Sequence, residues 1–373
     1  MWIRTTTSKE LEVSVGKCRY HGGAVPEGYL DFSAPLNPLG TPRVLKDLIV
    51  NTVFREVYSR YPDYTYSQLR NAIAYFYGTN PEGVIPLNGA SEAIYLLVLA
   101  LRPKVLVVFE PTFGDHKYLS EAIGLKTVSV IYVESEDRYE FPADLLKSVS
   151  TLNSRETLVL LSNPNNPTGT TLSKNQLTEV LEAFADSVVL VDEAYQELCY
   201  SCEDVDAVKL TNSYENLVVV RSLTKTYAVP GLRVGFLYTS NAKLVEVVEA
   251  SRPPWNVNSL ASEVFTKAFN EHVGELKSFI SLSKNVIKSE VEYVSKNLKS
   301  IGLHVYKSSV PYILVRHRGL TTESVIALLT RQKVYIRDAS RYPGLTPYHA
   351  RISVKLRHEN DVLLSSYKEV FKT

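Results

Sequence analysis

Six short β-rich apolar runs mark the middle of this chain: VLVVF (105–109), VSVIYV (128–133), TLVLL (157–161), VVLV (188–191), LVVV (217–220) and VGFLY (234–238). A strand wetted on one face alternates apolar with polar residues, whereas a strand that is apolar throughout is covered on both faces. Helical patterns lie between most of the runs, at Glu92 to Leu101, Asp115 to Ile123, Lys174 to Ala185 and Ala242 to Ala250. This alternation predicts an α/β chain with a mostly parallel sheet covered by helices. An antiparallel sheet would need two-residue hairpin turns, and none separates these runs.

The C-terminal third reads differently. A long helix carrying Leu276, Phe279, Ile280, Val286, Ile287, Val291, Val294 and Leu298 on one stripe precedes β-like segments at VYKSS, YILVRH, VYIRD and ARISVKL, with further helices near Thr322 and Glu359. We expect a smaller α+β domain here, with SRPPWNVNS (251–259) as the hinge into it. The boundaries are then 45–250 for the large domain, and 1–44 with 251–373 for the small one. At 373 residues the chain is long enough for both.

With 41 basic and 40 acidic residues, no charge excess favours nucleic acid or an anionic membrane. No apolar stretch reaches the roughly 20 residues of a membrane span, and MWIRTTTSKELEVSVGK at the start lacks a signal-peptide hydrophobic region. Three cysteines are too few for a disulfide framework. Cys199 and Cys202 form a lone CxxC with no second pair or nearby histidine to complete a metal site. The expectation is a cytoplasmic globular protein.

In an open parallel sheet, ligands bind outside the carboxyl ends of the strands. Here VLVVF is followed by EPTF (110–113), TLVLL by SNPNNPTG (162–169), VVLV by DEAY (192–195) and LVVV by RSLTK (221–225). Four such polar clusters in succession point to a single site on one rim. Lys225 offers an amine that forms an imine with an aldehyde once its pKa is lowered. Asp192 offers an anion suited to holding a proton on a ring nitrogen. Ser222, Arg233 and the helix start at GASEAI (89–94) offer hydroxyl, guanidinium and backbone N–H groups suited to phosphate. Phe113 offers a flat apolar face. Aldehyde, pyridine nitrogen and phosphate together describe pyridoxal 5′-phosphate.

NPNNPTG, DEAY and SLTKxYxxxGLRxG, in this order and spacing, resemble the fold-type I pyridoxal-phosphate enzymes of the aspartate aminotransferase superfamily over about His21 to Asn360. The resemblance implies a seven-stranded-type sheet in the large domain. It also implies that Lys225 is the Schiff-base lysine, that Asp192 pairs with the pyridinium nitrogen, and that Asn166 and Tyr195 hydrogen-bond the phenolic oxygen. Phe113 would stack on the ring, and Ala90, Ser91, Ser222 and Arg233 would hold the phosphate. Tyr61, in RYPDY, resembles the tyrosine that reaches the neighbouring subunit's phosphate, which implies a homodimer.

Superfamily membership leaves the reaction open. HGGAVPEGYLDFSAPLNPLG (21–40), IRDASRYPGL (336–345) and ARISVKLRHEN (350–360) look most like the threonine-phosphate decarboxylases of cobalamin synthesis, with histidinol-phosphate aminotransferases as close relatives. That resemblance implies a small phosphorylated amino-acid substrate. His21 and Arg337 would contact its phosphate, Asn37 would line the substrate side, and Arg351 would hold an anion. Pro35 and Ala339 depart from the usual asparagine and cysteine of the decarboxylases. Leu36 departs from the acidic residue typical of the aminotransferases. A regulatory protein of this superfamily would carry an added DNA-binding domain; none is expected before His21, and the presence of Lys225 and Asp192 also speaks for an enzyme.

Overall fold

The computed structural model describes residues 21–202 and 204–372. The reading of 1–17, and residues 1–20 of the expected small domain, lie outside the described residues. Seven strands form the main sheet, in the spatial order Val84–Leu87, Gly235–Tyr238, Leu217–Ser222, Val188–Asp192, Thr157–Ser162, Val105–Glu110 and Lys126–Ile131. All neighbours run parallel except Gly235–Tyr238, which is antiparallel to both strands beside it.

Successive side chains of a strand face opposite ways, and both faces of the sheet are dry at its central strands, whereas the edge strand Lys126–Ile131 is partly exposed. Val107, Val159, Val189 and Val219 pack on one side with Leu69 and Ile73 of helix Ser67–Tyr77, Leu177 of Lys174–Ala183 and Phe265 of Ser259–Glu271. Leu106, Leu158, Leu190 and Val218 pack on the other with Leu97 of helix Glu92–Leu101 and Val248 of Ala242–Ser251. Burying each such side chain contributes about 1.5–3 kcal/mol, which is why these strands are apolar without alternation.

Two local differences from the sequence reading have clear causes. The strand Val84–Leu87 was not anticipated because VIPL is short and contains Pro86. It lies at the sheet edge and pairs only with Gly235–Tyr238, where a missing N–H is tolerated. The run 128–133 is split: the strand ends at Ile131, and the exposed Val133 pairs instead with Glu140 in a separate two-stranded ribbon.

A second sheet has the order Leu30–Phe32, Val334–Asp338, His349–Ser353, Tyr312–Arg316 and His304–Val305. Its apolar cluster takes in Ile287, Val291, Val294 and Leu298 of the long helix Val273–Ser300, whereas Leu276 of that helix packs with the main sheet's cluster. The changeover between clusters therefore falls within this helix. Residues 251–259 are tied to the main sheet's side: the Asn256 amide donates to Pro86 O at 3.0 Å and to Glu92 Oε2 at 2.8 Å, and the Tyr66 hydroxyl donates to Val257 O at 2.9 Å. These bonds hold residues 256 and 257 against the large domain's side of the segment expected as the hinge.

Cys199 and Cys202, expected to lie outside any disulfide framework, are joined to each other in the structure. The short turn Gln196–Leu198 brings their Cα atoms to 5.6 Å, within bonding geometry. Among the described residues no helix is long and apolar enough to cross a membrane.

Candidate active site

The strand registers place every polar cluster on one rim. Ser162 pairs with Asp192, and Gly235 pairs with both Ser222 and Leu87. The antiparallel strand starts at the rim where the parallel strands end, so Arg233 just before it meets Ser222 and the turn after Leu87. A cavity of about 410 Å³ opens there. Its wall includes Lys225, Asp192, Tyr195, Asn166, Phe113, Ala90, Ser91, Ser222, Arg233, His21 and Arg351, all anticipated from the sequence.

At one end sits a set of anion-binding groups. Ser222 Oγ lies 2.8 Å from Thr224 Oγ1, and Arg233 Nη2 donates to Asn88 O at 3.2 Å. Ala90 and Ser91 line the cavity where helix Glu92–Leu101 begins, a position rich in unpaired N–H groups. The turn before it requires glycine: Gly89 has φ +80°, and a Cβ there would lie 2.1 Å from Arg233 Nη2.

Lys225 and Asp192 face the same cavity. Burial lowers the Lys225 amine from 10.5 to about 8; Arg351 and Arg233 push the same way and Asp192 opposes them. Burial raises the Asp192 carboxyl to about 6, against the Ala194 N–H and the Lys225 charge. The Ala194 N–H donates to Asp192 Oδ1 at 2.9 Å and fixes the carboxylate's orientation. Burial also holds the Tyr195 hydroxyl well above its ordinary value, and its ring packs edge-on against Tyr312 at 4.9 Å.

Arg351 reaches in from the second sheet. Its Nη1 donates to Asn166 Oδ1 at 2.7 Å and its Nη2 to Ser33 O, so the Asn166 amide nitrogen keeps its donors for the cavity. Arg351 and Arg337 are cross-strand partners. Arg337 lines an adjoining cavity with Arg341 and Lys117, which shares His21, Thr112, Phe113 and His116 with the first.

Two anticipated residues sit elsewhere. Asn37 is off the cavity wall: its N–H donates to Lys225 O at 3.1 Å, and its amide donates to Thr226 O at 2.9 Å and Ser283 Oγ at 2.7 Å. It thus braces the lysine turn from behind. Tyr61 lies outside this chain's cavity, 77% exposed and stacked on Trp255 at 4.3 Å. Several wall residues were missed, among them Thr112, Asp115, His116 and Thr224. Asp115 sits 3.2 Å from His21 Nε2, and His116 Nε2 sits 2.8 Å from Glu110 Oε1. Their signal was adjacency, since Thr112 lies within EPTF, Asp115 and His116 follow it after Gly114, and Thr224 lies inside RSLTK.

The donor set fits pyridoxal phosphate: hydroxyls, a guanidinium and helix N–H groups for a dianion, a buried amine of lowered basicity for an aldehyde, and a carboxylate across the cavity for a ring nitrogen. Fold and site define a fold-type I enzyme whose cofactor is pyridoxal 5′-phosphate. The chain belongs to the class I and II aminotransferase family, whose sequence pattern matches residues 33–366.

Curated relatives at 30% identity are of several kinds. The adenosylcobalamin biosynthesis bifunctional protein CobDQ of Leptospira interrogans aligns over 94% of this chain, which spans only 39% of that longer protein. A protein of Caldanaerobacter subterraneus subsp. tengcongensis, named provisionally as a threonine-phosphate decarboxylase, aligns over 90% of this chain and 89% of its own length. The histidinol-phosphate aminotransferase of Chlorobaculum tepidum aligns over 90% and 92%. Among solved structures, the histidinol-phosphate aminotransferase from Clostridium acetobutylicum superposes with a TM-score of 0.82 at 25% identity, covering 92% of this chain and 99% of that one.

Proposed function

We propose that this enzyme decarboxylates L-threonine O-3-phosphate to (R)-1-aminopropan-2-yl phosphate, a step in cobalamin biosynthesis. One observation carries the reading: Arg337 and Arg351, both buried, stand directly opposite each other on paired strands. Like charges so placed repel, and a substrate with two anionic ends offsets that repulsion. Threonine phosphate has a carboxylate for Arg351 and a phosphate for Arg337 and His21. Histidinol phosphate has the phosphate but no carboxylate, so in amino transfer Arg351 would meet a carboxylate only when the 2-oxo acid binds.

When bound, pyridoxal phosphate supplies an electron sink for the pair left behind when a bond at the substrate's α-carbon breaks. The protein supplies the rest. Arg351 orients the carboxylate that leaves as CO₂, while Arg337 and His21 hold the far end by charge-assisted hydrogen bonds. Lys225, with its basicity brought near neutrality, delivers the proton that replaces CO₂ at the α-carbon. Asp192 would hold a proton on the ring nitrogen, Asn166 and Tyr195 would donate to the phenolic oxygen, Phe113 would cover the ring, and Ala90, Ser91, Ser222 and Arg233 would hold the cofactor phosphate.

Purified holoenzyme given L-threonine phosphate should release CO₂ without any added 2-oxo acid. The relatives named as aminotransferases favour a second reading, amino transfer from histidinol phosphate or a related amino acid. Conversion of histidinol phosphate only in the presence of 2-oxoglutarate, with no CO₂ from threonine phosphate, would establish that reading and remove ours.

We also propose a homodimer in which Tyr61 reaches the partner's cofactor phosphate. Tyr61 and Tyr64 pack on Trp255, all three exposed, and Phe54, 83% exposed, and Tyr58 lie close by in sequence and are exposed as well, apolar surface of a kind that marks an interaction site. Sedimentation should give a dimer, and Phe54→Asp should shift it towards monomer. A monomeric wild-type protein would sink the proposal.

A further inference from the structure

Behind the cofactor rim, on the opposite face of the sheet, one guanidinium gathers three carboxylates. Arg221 Nη2 lies 2.7 Å from Glu193 Oε2 and 2.7 Å from Asp206 Oδ1, and its Nη1 lies 2.7 Å from Glu197 Oε1. Arg221, Glu193 and Glu197 are buried, and the ring of Tyr77 lies 5.7 Å from the guanidinium. Glu197 Oε2 also accepts from Thr226 Oγ1 at 3.3 Å, and Glu193 Oε1 accepts from the Ala207 N–H at 2.8 Å.

The chain positions of these groups are informative. Glu193 follows Asp192, Glu197 lies two residues beyond Tyr195, Arg221 precedes Ser222, and Thr226 follows Lys225. At the two strand ends adjacent residues point to opposite faces, which sets Glu193 behind Asp192 and Arg221 behind Ser222. Tyr195 with Glu197 and Lys225 with Thr226 divide between cavity and cluster through the helical turns Gln196–Leu198 and Leu223–Thr226. A shift of Arg221 would displace several cofactor contacts together.

We infer that Arg221 is a positioning residue: by tying Glu193, Glu197 and Asp206 behind the sheet, it fixes the backbone that presents Asp192, Tyr195 and Lys225 to the cofactor. Stability alone is a poor account of the cluster, because replacing buried ion groups with apolar side chains of similar volume often leaves stability unchanged or raised. Directional precision is what a planar fork with fixed donor angles adds, and a lysine ammonium lacks that fork. Burial raises Glu193 to about 7, as expected where carboxylates outnumber the cation.

The test uses cofactor-loaded wild type, Arg221→Lys, Arg221→Met and Glu197→Gln, and needs no substrate, so it stands apart from the choice of reaction. Two quantities are read: the pH midpoint of the bound cofactor's visible band, and the rate of cofactor release on dilution. Arg221→Lys keeps the charge and loses the fork. It should move the midpoint by about one pH unit and speed release about tenfold, the loss of roughly one charge-assisted hydrogen bond. Arg221→Met should do more of both. A folded Arg221→Lys protein with wild-type midpoint and release rate, even one that melts lower, overturns the inference. Should the Arg221 variants fail to fold, Glu197→Gln decides, since it keeps shape and the Thr226 contact while losing one charge. A smaller shift of the midpoint supports the inference, and an unchanged midpoint overturns it.

Discussion

Replacing Lys225 with alanine abolishes the visible absorbance of the cofactor-loaded protein and lowers turnover by roughly 10³-fold or more, the scale of losing a positioned acid–base group. The amine is buried, and among the described residues no other lysine lines the cavity. Arg351 and Arg233 surround it with positive charge that, with burial, brings it to about 8. A thermodynamic signature accompanies the chemical one. In the cofactor-free protein the folded-state pKa lies below the ordinary 10.5, so the proton is bound more tightly by the unfolded chain. Stability from this group is fully present above 10.5 and is lost as pH falls through about 8. Cofactor-free Lys225→Met should lack that pH-dependent gain in denaturant unfolding. An alanine variant that kept its visible band and normal turnover would refute the assignment.

Replacing Asp192 with asparagine should spare the visible band and still cripple turnover. Asparagine keeps the shape and the hydrogen bond from Ala194 but removes the charge facing the ring nitrogen. Losing one partner of a buried charge pair costs about 2–5 kcal/mol, or roughly 30-fold to 5,000-fold in rate. Without cofactor the sign of the pH effect is opposite to that of lysine. Burial raises Asp192 above 3.8 to about 6, so its contribution to stability is fully present below 3.8 and is lost as pH rises through about 6. Cofactor binding supplies the missing cation, so the cofactor should stabilise the wild type more than Asp192→Asn above that pH. Equal stabilisation, or undiminished turnover in the variant, would remove Asp192 from its role.

Most of the cofactor end was legible in the sequence because the groups are local to strand ends. Each motif directly follows an apolar run, and a parallel sheet delivers all such ends to one rim. The misplacements have a different origin. Asn37 was expected on the substrate side, yet it lies behind Lys225 through contacts with Thr226 and Ser283, separated from it by 189 and 246 positions. The 251–259 segment, expected as a hinge, likewise meets partners far along the chain in Tyr66 and Glu92. Composition describes a segment and is silent on the partner that reaches it.

What the chain's order of residues determined by itself was the architecture and the cofactor, since continuous apolar runs require a sheet covered on both faces and the polar residues after them need only that rim to converge. Tertiary structure decided the rest. It set the antiparallel strand that carries Arg233 to Ser222, the facing of Arg337 and Arg351, and the four-membered ion cluster around Arg221. Charged side chains distant along the chain leave no periodic trace, and whether they meet depends on how layers pack, which no short stretch encodes.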